Sequence, residues 1–210
     1  MCGSSDMTRT VPQPRSSPDA APGSADAALA RRYARELGWA ADGRDPLRLI
    51  TGESFDVLEL PAEAGHAVLR RGVRTGPVLL SGTRMGLLVA AGGADELPGL
   101  LDWLEWAPLA PDLIAVGAGG RVTAPPLPGS AGGSTGAAVW LRPPEPGRGP
   151  GPALPALAGF GSSGGGAPDL VRLVDAAATE CHRVRLSHAR SGVPEEVLAR
   201  GSADQPLAFS

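Results

Sequence analysis

The chain has 210 residues, a formal net charge of −3 and 19 basic residues, all of them arginine. This length accommodates one domain with a hydrophobic core. The absence of a basic excess argues against tight binding of nucleic acid through its phosphates. The two cysteines fit neither a zinc-binding spacing nor a disulfide framework. The N-terminal stretch lacks the apolar segment that a signal peptide requires, and the sequence has no apolar run of about 18 residues, so we expect a cytoplasmic protein that does not enter a membrane.

The first 25 residues are rich in Ser, Pro and Ala without periodicity, which predicts a disordered tail over residues 1–25. A single domain is then expected over residues 26–142. It begins with a helix, because Leu29, Tyr33 and Leu37 recur every four residues. Gly38 is typical of a helix C-cap.

The middle of the chain alternates short apolar strands with helical patterns. Two strands are expected in 47–60, on either side of a Thr-Gly turn, and a short helix in 62–72. A hairpin is expected in 77–91, and a helix in 96–106, where leucines recur at i, i+3, i+4 and i+7. Residues 112–126 then read as strand, glycine turn, strand, and 137–142 as a last strand. This order predicts an α+β fold in which helices pack on one mixed or antiparallel sheet.

Beyond this domain the composition changes sharply. Residues 143–168 contain 15 Gly or Pro in 26, which predicts a linker. An amphipathic helix is expected over 169–190, with its apolar face docked on the core or on a partner protein. A second disordered tail is expected over 191–210.

Three stretches of the chain, in order, resemble the N-terminal domain of bifunctional DNA primase-polymerases in the archaeo-eukaryotic primase superfamily. They are ITGESFDVLELP, LLSGTRMGLLVA and PDLIAVGAGGRVTAPP. The third carries most weight, because an acidic residue precedes a Gly-Gly turn and an apolar strand that ends in Ala-Pro-Pro. The resemblance covers roughly residues 27–142 and implies a primase-polymerase-like fold. Between Trp39 and Thr51 the chain lacks the longer insert that many members carry.

The resemblance implies two acidic residues one apart in a strand, a histidine after a Ser-Gly turn, and a third acidic residue before the Gly-Gly turn. Nucleotidyl transfer requires such residues, because carboxylates hold the divalent cations that neutralise the transition state and the histidine contacts the nucleotide's phosphates. In this chain Glu59 and Asp112 match two of the acidic positions. Pro61 stands where the other carboxylate is expected, and Met85 where the histidine is expected.

Asp56 is not a substitute for the missing carboxylate. Side chains alternate along a strand, so Asp56 and Glu59 point to opposite faces and share a metal only if the strand is bulged. The favoured interpretation of Asp56 is a hydrogen-bonded or solvated residue at a strand start. For Glu59, an arginine partner such as Arg84 or Arg121 is favoured over a metal.

For the remaining candidate site residues, a structural role is the favoured interpretation. Arg84 is a weak candidate for nucleotide binding, although a surface position in the hairpin turn is the commoner outcome. Asp112 is typical of a cap or turn residue. Cys181 belongs to the apolar stripe of the last helix and is interpreted as a buried thiol. His182 and His188 lie on different faces of that helix and His66 lies in a short helix, so no shared metal geometry is expected.

Two functions follow from these residues. The favoured one is a degenerate, catalytically inactive primase-polymerase-like domain that serves as an accessory or regulatory module, with no cofactor. It would bind nucleic acid or nucleotide weakly, or a protein through the 169–190 helix. The alternative is an active or residually active DNA primase or polymerase in which Glu59 and Asp112 hold Mg²⁺ or Mn²⁺.

Overall fold

A computed structural model describes residues 22–43, 46–109, 111–129, 138–146, 154–157 and 169–191. Nearly all of both predicted tails and most of the predicted linker lie outside these ranges. The helices are α1 Pro22–Leu37, α2 Ala62–Arg70, α3 Gly93–Trp103 and α4 Leu170–Ser191, with a 3-10 turn at Ala107–Leu109. The strands are β1 Ala41–Asp42, β2 Arg48–Ile50, β3 Asp56–Pro61, β4 Val78–Ser81, β5 Arg84–Val89, β6 Ile114–Val116, β7 Arg121–Thr123 and β8 Val139–Arg142. The α+β class and the C-terminal helix are confirmed.

The larger sheet has the strand order β6-β3-β5-β4-β8, and every pair of neighbours is antiparallel. Strands β4 and β5 form the predicted hairpin. Its turn lies at Gly82 and Thr83, and Gly82 adopts a φ of 56°, a left-handed conformation that favours glycine. Strand β3 is therefore flanked on both sides, and its polar side chains are positioned by its neighbours.

The expectation of one sheet was wrong, because β1, β2 and β7 form a second antiparallel sheet. The two strands read from residues 112–126 belong to different sheets: β6 pairs with β3, and β7 pairs with β2. The glycine turn between them packs on the Thr51 backbone. Thr51 Oγ1 donates a hydrogen bond to the Gly117 carbonyl at 2.6 Å, and its N–H donates to the Gly120 carbonyl at 3.1 Å. This turn thus carries the chain from one sheet to the other.

The two faces of β3 contact two different apolar clusters. Leu58 and Leu60 pack in a first cluster with residues of α2, α3 and α4. Phe55 and Val57 pack in a second cluster with α1 and the smaller sheet. The predicted stripe of α1 lies in this second cluster, where Tyr33 is fully buried and donates a hydrogen bond to the Pro125 carbonyl. The alternation predicted for β3 is therefore observed.

The apolar face of α4 docks on the core, which is one of the two alternatives left open by the sequence. Leu173, Val174, Ala177 and Cys181 are buried in the first cluster, and α4 packs against α2 and α3. The opposite face carries exposed residues such as Arg172 and Asp175, and from Arg185 to Ser191 every residue is exposed. Among the residues that the structure describes, the helices are too short or too polar to form a bilayer-spanning segment.

Candidate functional site

Asp56, at the start of β3, is buried and forms a hydrogen bond with the N-terminus of α3. Its side chain is 1% exposed, and its Oδ2 accepts a hydrogen bond from the Ala94 N–H at 3.0 Å. A carboxylate is favourable at this end of a helix because the free N–H groups carry partial positive charge. The hydrogen-bonded interpretation of Asp56 is thus observed, with a partner 38 residues away.

Glu59 lies on the opposite face of β3, toward the far end of the strand. The register places it between Gly86 of β5 and Ile114 of β6, and the Glu59 residue is half-buried. Two residues further, Pro61 lies opposite Arg84. The position of the expected second carboxylate is therefore directly beside an arginine.

The Arg84 guanidinium reaches across β3 toward Asp112, which precedes β6. Its Nη1 lies 2.7 Å from Asp112 Oδ1, and its Nη2 donates a hydrogen bond to the Glu59 carbonyl oxygen at 3.1 Å. The prediction that Arg84 or Arg121 pairs with the Glu59 carboxylate was wrong on both counts. Arg121 pairs instead with Asp42, at 2.9 Å. Because these partners come from distant segments, the local sequence pattern did not reveal them.

A cleft of about 540 Å³ opens beside this ion pair. One wall comes from the end of β3, the hairpin turn and the segment before β6, and the other wall comes from α4. Its lining residues are Pro61, Thr83, Arg84, Asp112, Cys181, Val184, Arg185 and His188. The cleft thus combines an apolar floor with two guanidinium groups, one carboxylate and one imidazole.

Cys181 forms part of the cleft floor but is a poor nucleophile. Its side chain is 2% exposed, and its Sγ donates a hydrogen bond to the Asp112 carbonyl oxygen at 3.3 Å. Burial, with a smaller contribution from the Asp112 carboxylate, raises the pKa of the thiol to about 12. Since the thiolate is the reactive form, this thiol is inert near neutral pH. The predicted structural role of Cys181 is consistent with this geometry.

The two histidines of α4 have separate surroundings. His188 Nε2 lies 3.1 Å from Glu63 Oε2 of α2 at the margin of the cleft, while the His182 ring lies 6.0 Å from the Trp106 ring. Within the described ranges, no three His, Cys, Asp or Glu side chains lie close enough together to hold a metal ion.

The sequence interpretation missed Arg185 and His188 as residues of the site. The signal was present, because Cys181, Val184, Arg185 and His188 recur at i, i+3, i+4 and i+7 and so share one face of a helix. What the sequence did not indicate was the surface that this face meets. That surface is formed by segments that lie 69 or more residues earlier in the chain.

Met85, which stands where the resemblance implies a histidine, is buried away from solvent. It is fully buried in the first cluster, packed on α2 where Gly65 leaves no room for a side chain: a Cβ there would lie 2.3 Å from the Met85 sulfur. Its role is therefore packing, as its chemistry predicts.

No protein-family model matches the chain, and comparisons with curated proteins and with solved structures likewise gave no match.

Proposed function

We propose that this chain is a degenerate primase-polymerase-like domain that has lost catalysis and acts as an accessory or regulatory module. The proposal depends on one observation above the others. The Arg84 guanidinium crosses β3 beside Pro61, where the resemblance implies a metal-binding carboxylate, and forms an ion pair with Asp112, one of the two acidic residues retained.

The ion pair opposes metal binding for an electrostatic reason. A divalent cation at Asp112 would have to displace a guanidinium that is already 2.7 Å from the carboxylate, or bind beside its positive charge. Arginine stays protonated at every physiological pH, so the repulsion persists, and solvent reduces its size because the two side chains are 29% and 58% exposed. Pro61 adds no ligand, and Glu59 alone is a weak site for Mg²⁺ or Mn²⁺.

The accessory role is supported by how the retained motif residues are used. Thr51 joins the two sheets, because its hydroxyl donates a hydrogen bond to the Gly117 carbonyl and its N–H to the Gly120 carbonyl, and Met85, in place of the expected histidine, fills the core. These residues serve the fold, and fold alone does not confer activity. A partner protein would meet α4 at its exposed last turns, and nucleic acid or nucleotide would bind weakly because the chain carries no basic excess.

The test is primer extension and de novo priming with Mg²⁺ or Mn²⁺ and all four dNTPs or NTPs. We expect no product above the no-protein background. Two variants accompany the wild type: Glu59→Ala, and Glu53→Ala as a matched control, because Glu53 is an exposed carboxylate in the turn before β3.

Product formed by the wild type and by Glu53→Ala, but abolished in Glu59→Ala, would overturn the proposal. That result would establish the alternative, an active or residually active nucleotidyltransferase that uses Glu59 and Asp112.

A further inference from the structure

The cleft between β3 and α4 has the charge of an anion site. Among its lining residues, Arg84 and Arg185 carry positive charge and Asp112 carries negative charge, so the sum is +1 with His188 neutral. When His188 is protonated, Glu63 lies 3.1 Å away and offsets its charge. A site that binds divalent cations requires the opposite sign.

Arg185 is the group best placed to receive a ligand. One of its N–H groups donates a hydrogen bond to the Leu109 carbonyl oxygen at 2.9 Å, which fixes the guanidinium against the 3-10 turn. Within the described residues it has no carboxylate partner, in contrast to Arg84. A guanidinium carries five N–H donors in a planar fork, so donors remain for a phosphate or carboxylate.

The surroundings of Arg185 suit a small ligand. Val184 and Cys181 are 9% and 2% exposed and form an apolar floor beside the two guanidinium groups. A volume of about 540 Å³ lies within the range of small-molecule sites. Arg185 and His188 lie outside residues 27–142, so the resemblance does not supply this wall of the cleft.

We propose that the cleft binds a small oxyanion, a phosphate or carboxylate group, through Arg185 with Arg84 as the second cation. The inference rests on the proposed function in one respect, since Asp112, which an active relative would use as a metal ligand, lines the cleft that we assign to an anion. The Asp112 carboxylate then competes with the ligand for Arg84, because it forms an ion pair with the Arg84 guanidinium in the free protein.

The experiment is a calorimetric or NMR titration of the full chain with inorganic pyrophosphate, at constant ionic strength and in buffer freed of divalent cations by a chelating resin. We expect saturable binding that Arg185→Gln weakens about tenfold or more, since charge-assisted hydrogen bonds to a guanidinium would be lost. Arg190→Gln is the matched control, because Arg190 is exposed on the last turn of α4 and does not line the cleft. It should leave the affinity unchanged.

A second variant tests the opposite direction. Asp112→Asn releases Arg84 from its ion pair and should tighten pyrophosphate binding about threefold or more. Asp102→Asn makes the same change in net charge at an exposed position of α3 outside the cleft, so it should have no such effect. Because Asp112→Asn predicts a gain, a misfolded variant cannot imitate the result.

Citrate is titrated in parallel to compare a carboxylate with a phosphate source, and saturable binding of either one that requires Arg185 supports the inference. Absence of saturable binding by both, an equal loss in Arg185→Gln and Arg190→Gln, or pyrophosphate binding only after Mg²⁺ is added would overturn it. Failure here is distinguishable from failure of the proposed function, which primer extension tests without reference to Arg185.

Discussion

Strand β3 carries an acidic residue near each end, and the two ends have different surroundings. At the start, Asp56 is buried and holds the first turn of α3. Toward the finish, Glu59 is half-buried and its carbonyl oxygen accepts a hydrogen bond from Arg84, while Pro61 lines an open cleft together with Arg84 and Asp112. Burial and available partners, more than residue type, therefore decide what a carboxylate does on this strand. We therefore expect changes at the start of β3 to affect stability and changes at its finish to affect binding.

The largest effect is expected just before β3, at Gly52. Its φ is 99°, and a Cβ there would lie 2.3 Å from the Ala118 Cα, so Gly52→Ala combines a strained backbone with a clash against the main chain. We expect a loss of about 3 kcal/mol or more in the free energy of unfolding, measured by denaturant titration.

Gly72→Ala is the matched control for that change. Gly72 also has a positive φ, 72°, but open space surrounds it, so only the conformational cost of about 1 kcal/mol applies. Equal losses in the two variants would mean that the close approach of Gly52 to Ala118 contributes nothing.

The next effect concerns the carboxylate at the start of β3. Asp56→Ala leaves the buried Ala94 N–H without its acceptor and removes a negative charge from the N-terminus of α3, so we expect a loss of about 2 kcal/mol. Asp95→Ala, at an exposed acid in the same helical turn, should cost no more than about 0.5 kcal/mol by the same denaturant titration. A similar cost for both variants would refute the capping role of Asp56.

The thiol at the cleft floor gives stability a dependence on alkaline pH. Folding raises the pKa of the Cys181 thiol from 9.0 to about 12. The contribution of the protonated thiol to the free energy of unfolding is therefore complete below pH 9 and falls as the pH rises toward 12. At pH 10 the loss amounts to about 1.4 kcal/mol. Burial also raises the pKa of Tyr33, so the wild type must be compared with Cys181→Ala, in which only the thiol's part of the slope disappears. If the free energy of unfolding fell with pH equally steeply in the wild type and in Cys181→Ala, the raised pKa of Cys181 would be contradicted.

The smallest effect is expected at the finish of β3. Arg84 and Asp112 have side chains that are 29% and 58% exposed, so solvent screens their attraction. A double-mutant cycle with Arg84→Ala, Asp112→Ala and the double variant should give a coupling energy below about 1 kcal/mol. A coupling of several kcal/mol would show that the ion pair holds the fold together and would remove the contrast between the two ends.

The sequence predicted the parts of this fold that depend on local periodicity. The helical stripes, the β4-β5 hairpin and the alternation that separates Asp56 from Glu59 are all properties of neighbouring residues, and each is observed. The partner of a strand in a sheet is not a local property. The pattern around Gly117–Gly120 therefore predicts two strands but does not indicate that they belong to two different sheets.

The candidate site was predicted less completely for the same reason. The sequence indicates Glu59, Arg84 and Asp112 as single residues, but the pairing of Arg84 with Asp112 joins segments 28 residues apart. The α4 wall, with Arg185 and His188, depends on docking across a still longer separation. The residue types of the site can be found in the sequence, whereas the contacts between them depend on how distant segments pack.

The position of β3 between two apolar clusters has a consequence for cooperativity. Each cluster contacts one face of the same strand, and β5 also contributes residues to both, so neither cluster loses its packing without exposing a face of these strands. The slowest amide hydrogen exchange in the described part of the chain should therefore come from β3 and β5, and should report the global opening of the domain.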